Sequence, residues 1–234
     1  MEIKAIKTRI FKENENLTDF ILKYVKKIPE NSILVITSKI VSLSEGRTAE
    51  YKNQSQKVKL IKQESDFMLR TKYTWLTIKD GMVMSSAGID ESNARGKLIL
   101  LPQNSFKSAD LVRKKLKKIF KIRKLGVLIT DSRIFPLRAG IVGVSLGYAG
   151  FKGIRDYRGK SDIFGRTLKF SRTDIADGLA TSAVLEMGEG KERQPLALIT
   201  KARVEFTDKI NKKELYIDPK EDLYLPLFGS ILKK

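Results

Sequence analysis

Two short aliphatic runs constrain this chain most. Ile33-Leu34-Val35-Ile36 has no polar residue at either parity, so both faces of an extended segment here must be covered by protein, as in a buried strand. Gly126 to Thr130 reads the same way. Around them lie segments of helical period. From Asn16 to Ile28 the residues Leu17, Phe20, Ile21, Tyr24 and Val25 make one apolar stripe, with Asn14 or Asn16 available as cap. Ser108 to Ile122 is expected to be a helix whose heavily basic outer face is solvated, and the polar stretch Gln54 to Arg70 another. Thr173 to Met187 reads as a helix stopped by Gly188, and Pro195 to Thr200 as a further strand. Asp80-Gly81 between Tyr73–Ile78 and Met82–Ser86 is a hairpin signal. Glycines at 140, 143, 147, 150, 153, 159 and 165 exclude one continuous helix there. Met1 to Lys12 alternates charges with aliphatics, and the tail from Asp208 is charged, with apolar patches at Leu223 to Leu227. Spacing alone gives a mixed α and β chain without internal repeats or an obvious linker.

With 234 residues and 41% hydrophobic content the chain can bury a sizeable core. No apolar run is long enough to cross a bilayer and the N-terminus lacks a signal-like stretch, so a cytoplasmic protein is expected. The absence of cysteine excludes disulfides and thiolate chemistry. The absence of histidine removes the usual general base and zinc ligand, which leaves carboxylates, Lys, Arg, hydroxyls and backbone amides, with Mg²⁺ or Mn²⁺ as the natural metals. A formal net charge of +19 raises the alternative of a basic nucleic-acid-binding protein. The cations are spread along the whole chain, however, and attraction of small anionic substrates explains them more economically.

Asp90, Asp131 and Glu189 each sit beside glycine or at the expected end of a strand or helix. Any one alone would be a solvated charge; the residues around them are more specific. Thr37-Ser38-Lys39-Ile40-Val41-Ser42 followed by Glu45-Gly46-Arg47, Ala87-Gly88-Ile89-Asp90-Glu91-Ser92-Asn93 followed by Leu100-Leu101-Pro102, and Thr130-Asp131-Ser132 occur in order. Asp156 to Asp162, Phe164-Gly165-Arg166, Ala176-Asp177 and Met187-Gly188-Glu189-Gly190 follow. This series resembles the coenzyme F-420:L-glutamate ligase family from Ile33 to about Thr200.

The resemblance implies an α+β fold with mixed sheets in two intimately joined lobes, a single domain over residues 1–234, and an intertwined homodimer with its active site near the subunit boundary. It implies that Asp90 and Asp131 ligate one divalent ion, and Ser132 and Glu189 a second. Ser38, Lys39, Asn93, Met187, Gly188, Gly190 and Lys191 match nucleotide-binding positions. The implied reaction consumes GTP, or ATP, to join L-glutamate to a carboxylate of a pterin- or deazaflavin-type acceptor, most like F-420-0, with a folate-type acceptor as the alternative. Arg138, Arg158 and Arg166 are candidates for holding anionic substrate groups.

Some positions depart from the family pattern. Leu43 stands where a nucleotide-binding Lys is common, Gly178 where Glu is usual, and Arg9-Ile10-Phe11 replaces a loop containing Pro and Leu. Arg133-Ile134-Phe135 replaces a small residue, Gly and Arg. Arg133 is expected to compensate for Leu43 by reaching the phosphate region.

Overall fold

The computed structural model describes residues 1–228; residues 229–234 of the expected domain lie outside the described residues. In chain order the first elements are β1 (Glu2–Ile6), α1 (Leu17–Tyr24), β2 (Ser32–Thr37), α2 (Ser38–Ser44), β3 (Thr48–Ala49) and α3 (Gln54–Gln63). Then come β4 (Phe67–Arg70), β5 (Trp75–Lys79), β6 (Met82–Ser85), β7 (Leu98–Ile99), α4 (Ser105–Phe120) and β8 (Leu125–Arg133). The last are β9 (Val142–Ala149), β10 (Ile154–Asp156), β11 (Arg172–Asp174), α5 (Ile175–Met187), β12 (Leu196–Thr200) and α6 (Leu225–Phe228). No described helix is long and apolar enough to cross a membrane.

Four of the helices, α1, α3, α4 and α5, start where a short polar side chain takes an otherwise orphaned amide. Asn16 accepts from the Asp19 amide, Asn53 from Gln56, Asn104 from Lys107 and Asp174 from Asp177.

The main sheet has five strands in the order β1-β12-β2-β8-β9. Only β2 and β8 are parallel; the other pairings are antiparallel, so the sheet is mixed. β2 explains why helices cover both faces. Leu34 and Ile36 enter a cluster with Phe20, Ile21, Val41 and Leu116 from α1, α2 and α4. Ile33 and Val35 enter the opposite cluster with Leu179, Ala180 and Ala183 of α5 and with Tyr148. Burying each such aliphatic side chain contributes about 1.5 to 3 kcal/mol. A third cluster, Ile61, Ala87, Ile89, Leu98 and Leu100, joins α3 to the antiparallel sheet β4-β5-β6, whose Trp75 packs against it. The architecture is the expected α+β with mixed sheets.

Three local expectations need correction. The stretch Gln54 to Arg70 is not one helix: α3 ends at Gln63, and Phe67–Arg70 turns back as β4 to pair with β5. Thr173 and Asp174 precede α5 as part of β11, paired with β10. Glu2–Ile6, read only as alternating charge and aliphatic residues, is a strand because β12 offers it an edge.

Gly143 of β9 lets α5 approach closely. A Cβ there would lie 2.5 Å from both the Ala180 carbonyl oxygen and the Val184 Cγ2. Gly143→Ala should therefore destabilise the fold by about 1 to 3 kcal/mol. Gly178, within α5, would meet nothing within 4 Å. Gly178→Ala should stabilise by about 0.5 to 1 kcal/mol. Urea midpoints measure both, and unchanged stability of Gly143→Ala would show that α5 is not held at this distance.

Candidate active site

Parallel pairing brings the first two candidate residues together. The register runs from Ser32 opposite Leu125 to Thr37 opposite Thr130, so Ser38 and Asp131, the next residue on each chain, emerge side by side. The Ser38 hydroxyl donates to Asp131 Oδ1 at 3.2 Å. Regions beyond the carboxyl ends of parallel strands are where open sheets bind ligands.

Contrary to expectation, β8 does not give out at Asp131. It continues through Ser132 to Arg133, paired with β9, after a register shift between Ile129 and Thr130. The unpaired residue of this bulge is Leu146 of β9, so β8 keeps its own alternation through the shift. Alternation beyond the shift sends Asp131 and Arg133 to the face of Ser38 and Met84, and Ser132 to the face covered by α5.

Asp90 arrives from the smaller cluster. Ser86, Ala87 and Gly88, just before it, all have positive φ, at 49°, 55° and 71°. Such backbone costs energy in Ser and Ala and persists only where surrounding contacts over-determine it. The Ala87 amide donates to Thr77 Oγ1 at 2.8 Å, and Asp90 and Ile99 exchange both backbone hydrogen bonds at 2.9 Å. Lys39 Nζ reaches Asp90 Oδ2 at 2.7 Å and also donates to the Ser92 carbonyl and hydroxyl. The Ser92 amide donates to Asp90 Oδ1 at 2.6 Å. Burial works to raise the Asp90 pKa, but Lys39 and the Ser92 hydrogen bonds outweigh it and hold the carboxyl below its ordinary value. The first two residues of α2 therefore touch two acids: Ser38 holds Asp131 and Lys39 holds Asp90.

Glu189 joins from the other face. Gly188, at φ 78°, ends α5, and the Ser132 hydroxyl donates to Glu189 Oε1 at 2.5 Å. The Gly188 amide is taken by the Val184 carbonyl and the Gly190 amide by Glu192 Oε2. The Met187 side chain is buried in the α5-side core, whereas Lys191 and Asn93 are exposed. At the opposite, N-terminal end of α5, the Ser145 amide of β9 donates to Asp177 Oδ1, while burial pushes the Asp177 carboxyl up.

Arg133 sits against Asp131. Its side chain is only 8% exposed; it ion-pairs with Asp131, donates to the Ser132 carbonyl at 2.8 Å and lies 3.6 Å from the Met84 sulfur. The guanidinium is turned inward because residue 133 shares a strand face with residue 131. Arg158 pairs with Asp156 within the segment carrying β10 and β11, and Arg138 and Arg166 are exposed; no hydrogen bond or ion pair among the described residues ties any of the three to the cluster. Sequence reading takes Ser92 only as part of its motif and Glu192 only within the matched loop Met187 to Gln194, without giving either a contact of its own. For Ser92 the signal existed, since an Asp followed two residues later by a hydrogen-bonding amide is a local turn.

The donor chemistry fits hard divalent cations: Asp90, Asp131 and Glu189 supply carboxylate oxygens, and Ser132 a hydroxyl. Among the described residues no three metal-favouring side chains converge into one cage. Mg²⁺-type ions are commonly held by one or two carboxylates plus substrate phosphates, which suits this dispersed set. At Asp131 an ion would have to compete with Arg133.

Residues 5–201 match the family model described as F420-0:Gamma-glutamyl ligase. The coenzyme F420:L-glutamate ligase of Methanococcus maripaludis strain C6 is 34% identical, over 96% of this chain and 97% of that protein. Its namesake in Methanocaldococcus jannaschii is 32% identical over 95% of each chain, and that of Archaeoglobus fulgidus 28% identical over 92% of each. With the family model and end-to-end relatives in agreement, the chain belongs to the F420-0:gamma-glutamyl ligase family and is an amide-forming ligase.

Proposed function

We propose that this protein joins L-glutamate to the carboxylate of coenzyme F420-0, consuming a nucleoside triphosphate, GTP by family resemblance. The observation that carries this reading is the chain of contacts Asp90–Lys39–Ser38–Asp131, with Ser132–Glu189 beside it, in a chain related end to end to coenzyme F420:L-glutamate ligases.

A carboxylate is a poor electrophile. Transfer of the γ-phosphoryl group to one of its oxygens gives an acyl phosphate and releases the nucleoside diphosphate. The glutamate amine then attacks the acyl carbon; the C–N bond forms, the C–O bond to phosphate breaks, and phosphate departs with the electron pair. The amine proton passes to a carboxylate or to the departing phosphate. Two divalent ions, when bound, neutralise charge on the phosphoryl oxygens. Asp90, Asp131, Ser132 and Glu189 would hold them. Ser38 fixes the orientation of Asp131, and Lys39 keeps Asp90 ionised while bringing a cation to the phosphate region. Arg133 sets the charge balance at Asp131, which it neutralises in the absence of an ion.

Mass spectrometry after incubation with GTP or ATP, Mn²⁺, glutamate and F420-0 should find the acceptor heavier by one or more glutamyl units. Asp131→Asn should abolish this product without changing the folded circular dichroism spectrum. No glutamyl product from F420-0 would defeat the assignment, and normal turnover by Asp131→Asn would remove that residue from the mechanism.

The chain is read here as one domain that works as a homodimer. Supporting the dimer, the segment between β10 and β11 exposes Ile163, Phe164 and Phe170, the last two at 88%. Large apolar residues gathered on one excursion suit an interface with a second copy. Light scattering should give twice the chain mass at micromolar concentration. An active monomer at that concentration would overturn the dimer.

A further inference from the structure

Outside the candidate active site, a strongly basic groove runs between α4 and residues 208–212. Its cavity measures about 690 Å³, within the roughly 300 to 1,000 Å³ usual for small-molecule sites. Lys107, Lys114 and Lys117 stand along α4 at spacings of seven and three residues, one stripe of the helix. Lys209 and Lys212 contribute from the other segment, and Phe106, Ala149 and Ile210 add apolar surface. Arg113 lines the groove from a fixed position: buried, it donates through Nε to the Leu125 carbonyl at 2.6 Å and ion-pairs with Asp208.

Two acids lie in this groove, and both are engaged. Asp110 pairs with Lys114 at 2.7 Å, and Asp208 with Arg113 and with Lys117 at 3.2 Å. Six cations against two acids leave the lining at net +4, and Lys107, Lys209 and Lys212 have no carboxylate partner among the described residues. The apolar packing of α4 lies on its other side, through Ala109, Val112 and Leu116, so Lys107 is not engaged by the core. Like charges brought together over a low-dielectric floor repel one another and concentrate a positive field. A bound anion relieves that repulsion.

The groove is separate from the proposed catalytic cluster. Arg113 touches Leu125, the first residue of β8, whereas Asp131 and Ser132 stand near the strand's opposite end. We infer that this groove is a binding site for a small multivalent organic or inorganic anion, with phosphate or carboxylate groups against the lysines and any apolar portion on the Phe106 and Ile210 surface. The size of the cavity favours a ligand of nucleotide dimensions over a duplex. The site stands independently of the ligase reading.

Calorimetry on the full chain in metal-free buffer tests this, with inorganic triphosphate and tri-γ-glutamate as separate probes for the phosphate and carboxylate sources. At least one probe should bind at one site per chain, equally in Asp131→Asn, and about tenfold or more weaker in Lys107→Glu/Lys209→Glu. Both lysines are exposed, so the double variant should fold normally, which its thermal midpoint checks. Binding of triphosphate alone assigns the phosphate class, and of tri-γ-glutamate alone the carboxylate class. Failure of both probes to bind, or equal binding by the parent and the double variant, would overturn the site. So would a single-stranded 12-mer oligonucleotide binding far more tightly than either probe and losing that affinity in the same variant, because the surface would then serve nucleic acid.

Discussion

The parallel pairing of β2 with β8 is the constraint on which the candidate site depends. Thr37 opposite Thr130 makes Ser38 and Asp131 neighbours although 93 positions separate them in the chain. A one-residue slip would turn every side chain of β2 to the other layer, sending Leu34 and Ile36 away from the core they share with Phe20 and Leu116. The two hydrophobic layers therefore specify the register, and the register specifies the polar contact at the strand ends. Core packing and site geometry share one cause.

Without histidine, the cluster relies on cations and hydroxyls to manage its carboxylates. Asp90 is balanced by Lys39, Asp131 by Arg133 and Ser38, and Glu189 accepts from Ser132. Leaving a partly buried carboxylate unpaired is costly, so cationic partners stabilise the site before any ligand arrives. On the proposed reading, a divalent ion or phosphate arriving here would compete for groups that already have partners. Arg133 stands out because it is both buried and bonded to a proposed metal ligand.

How much could be read from the sequence varied with the source of the signal. β2 was legible because four aliphatic residues in a row leave no polar face, and α1 because its stripe and its Asn16 cap are local. β4 was not, since Phe67–Arg70 follows a polar helix without an intervening Gly or Pro and becomes a strand only through pairing with β5. β1 was missed for the same kind of reason, as its partner β12 lies almost 200 residues away. In the site, the residue types and order of Ser38, Lys39, Asp90, Asp131, Ser132 and Glu189 were legible from motifs. The inward turn of Arg133 was not, because it depends on the continuation of β8 past Thr130, paired with β9, and on Met84 from the hairpin.

The most direct test of the site is a crystal structure of the protein with Mn²⁺ and a non-hydrolysable nucleoside triphosphate, with the metal located by anomalous scattering. The expected result is triphosphate beyond the carboxyl ends of β2 and β8, with Mn²⁺ about 2.0 to 2.2 Å from an Asp131 oxygen and the Arg133 guanidinium displaced from that oxygen. Nucleotide and metal bound elsewhere, with Asp131 still paired to Arg133, would contradict it.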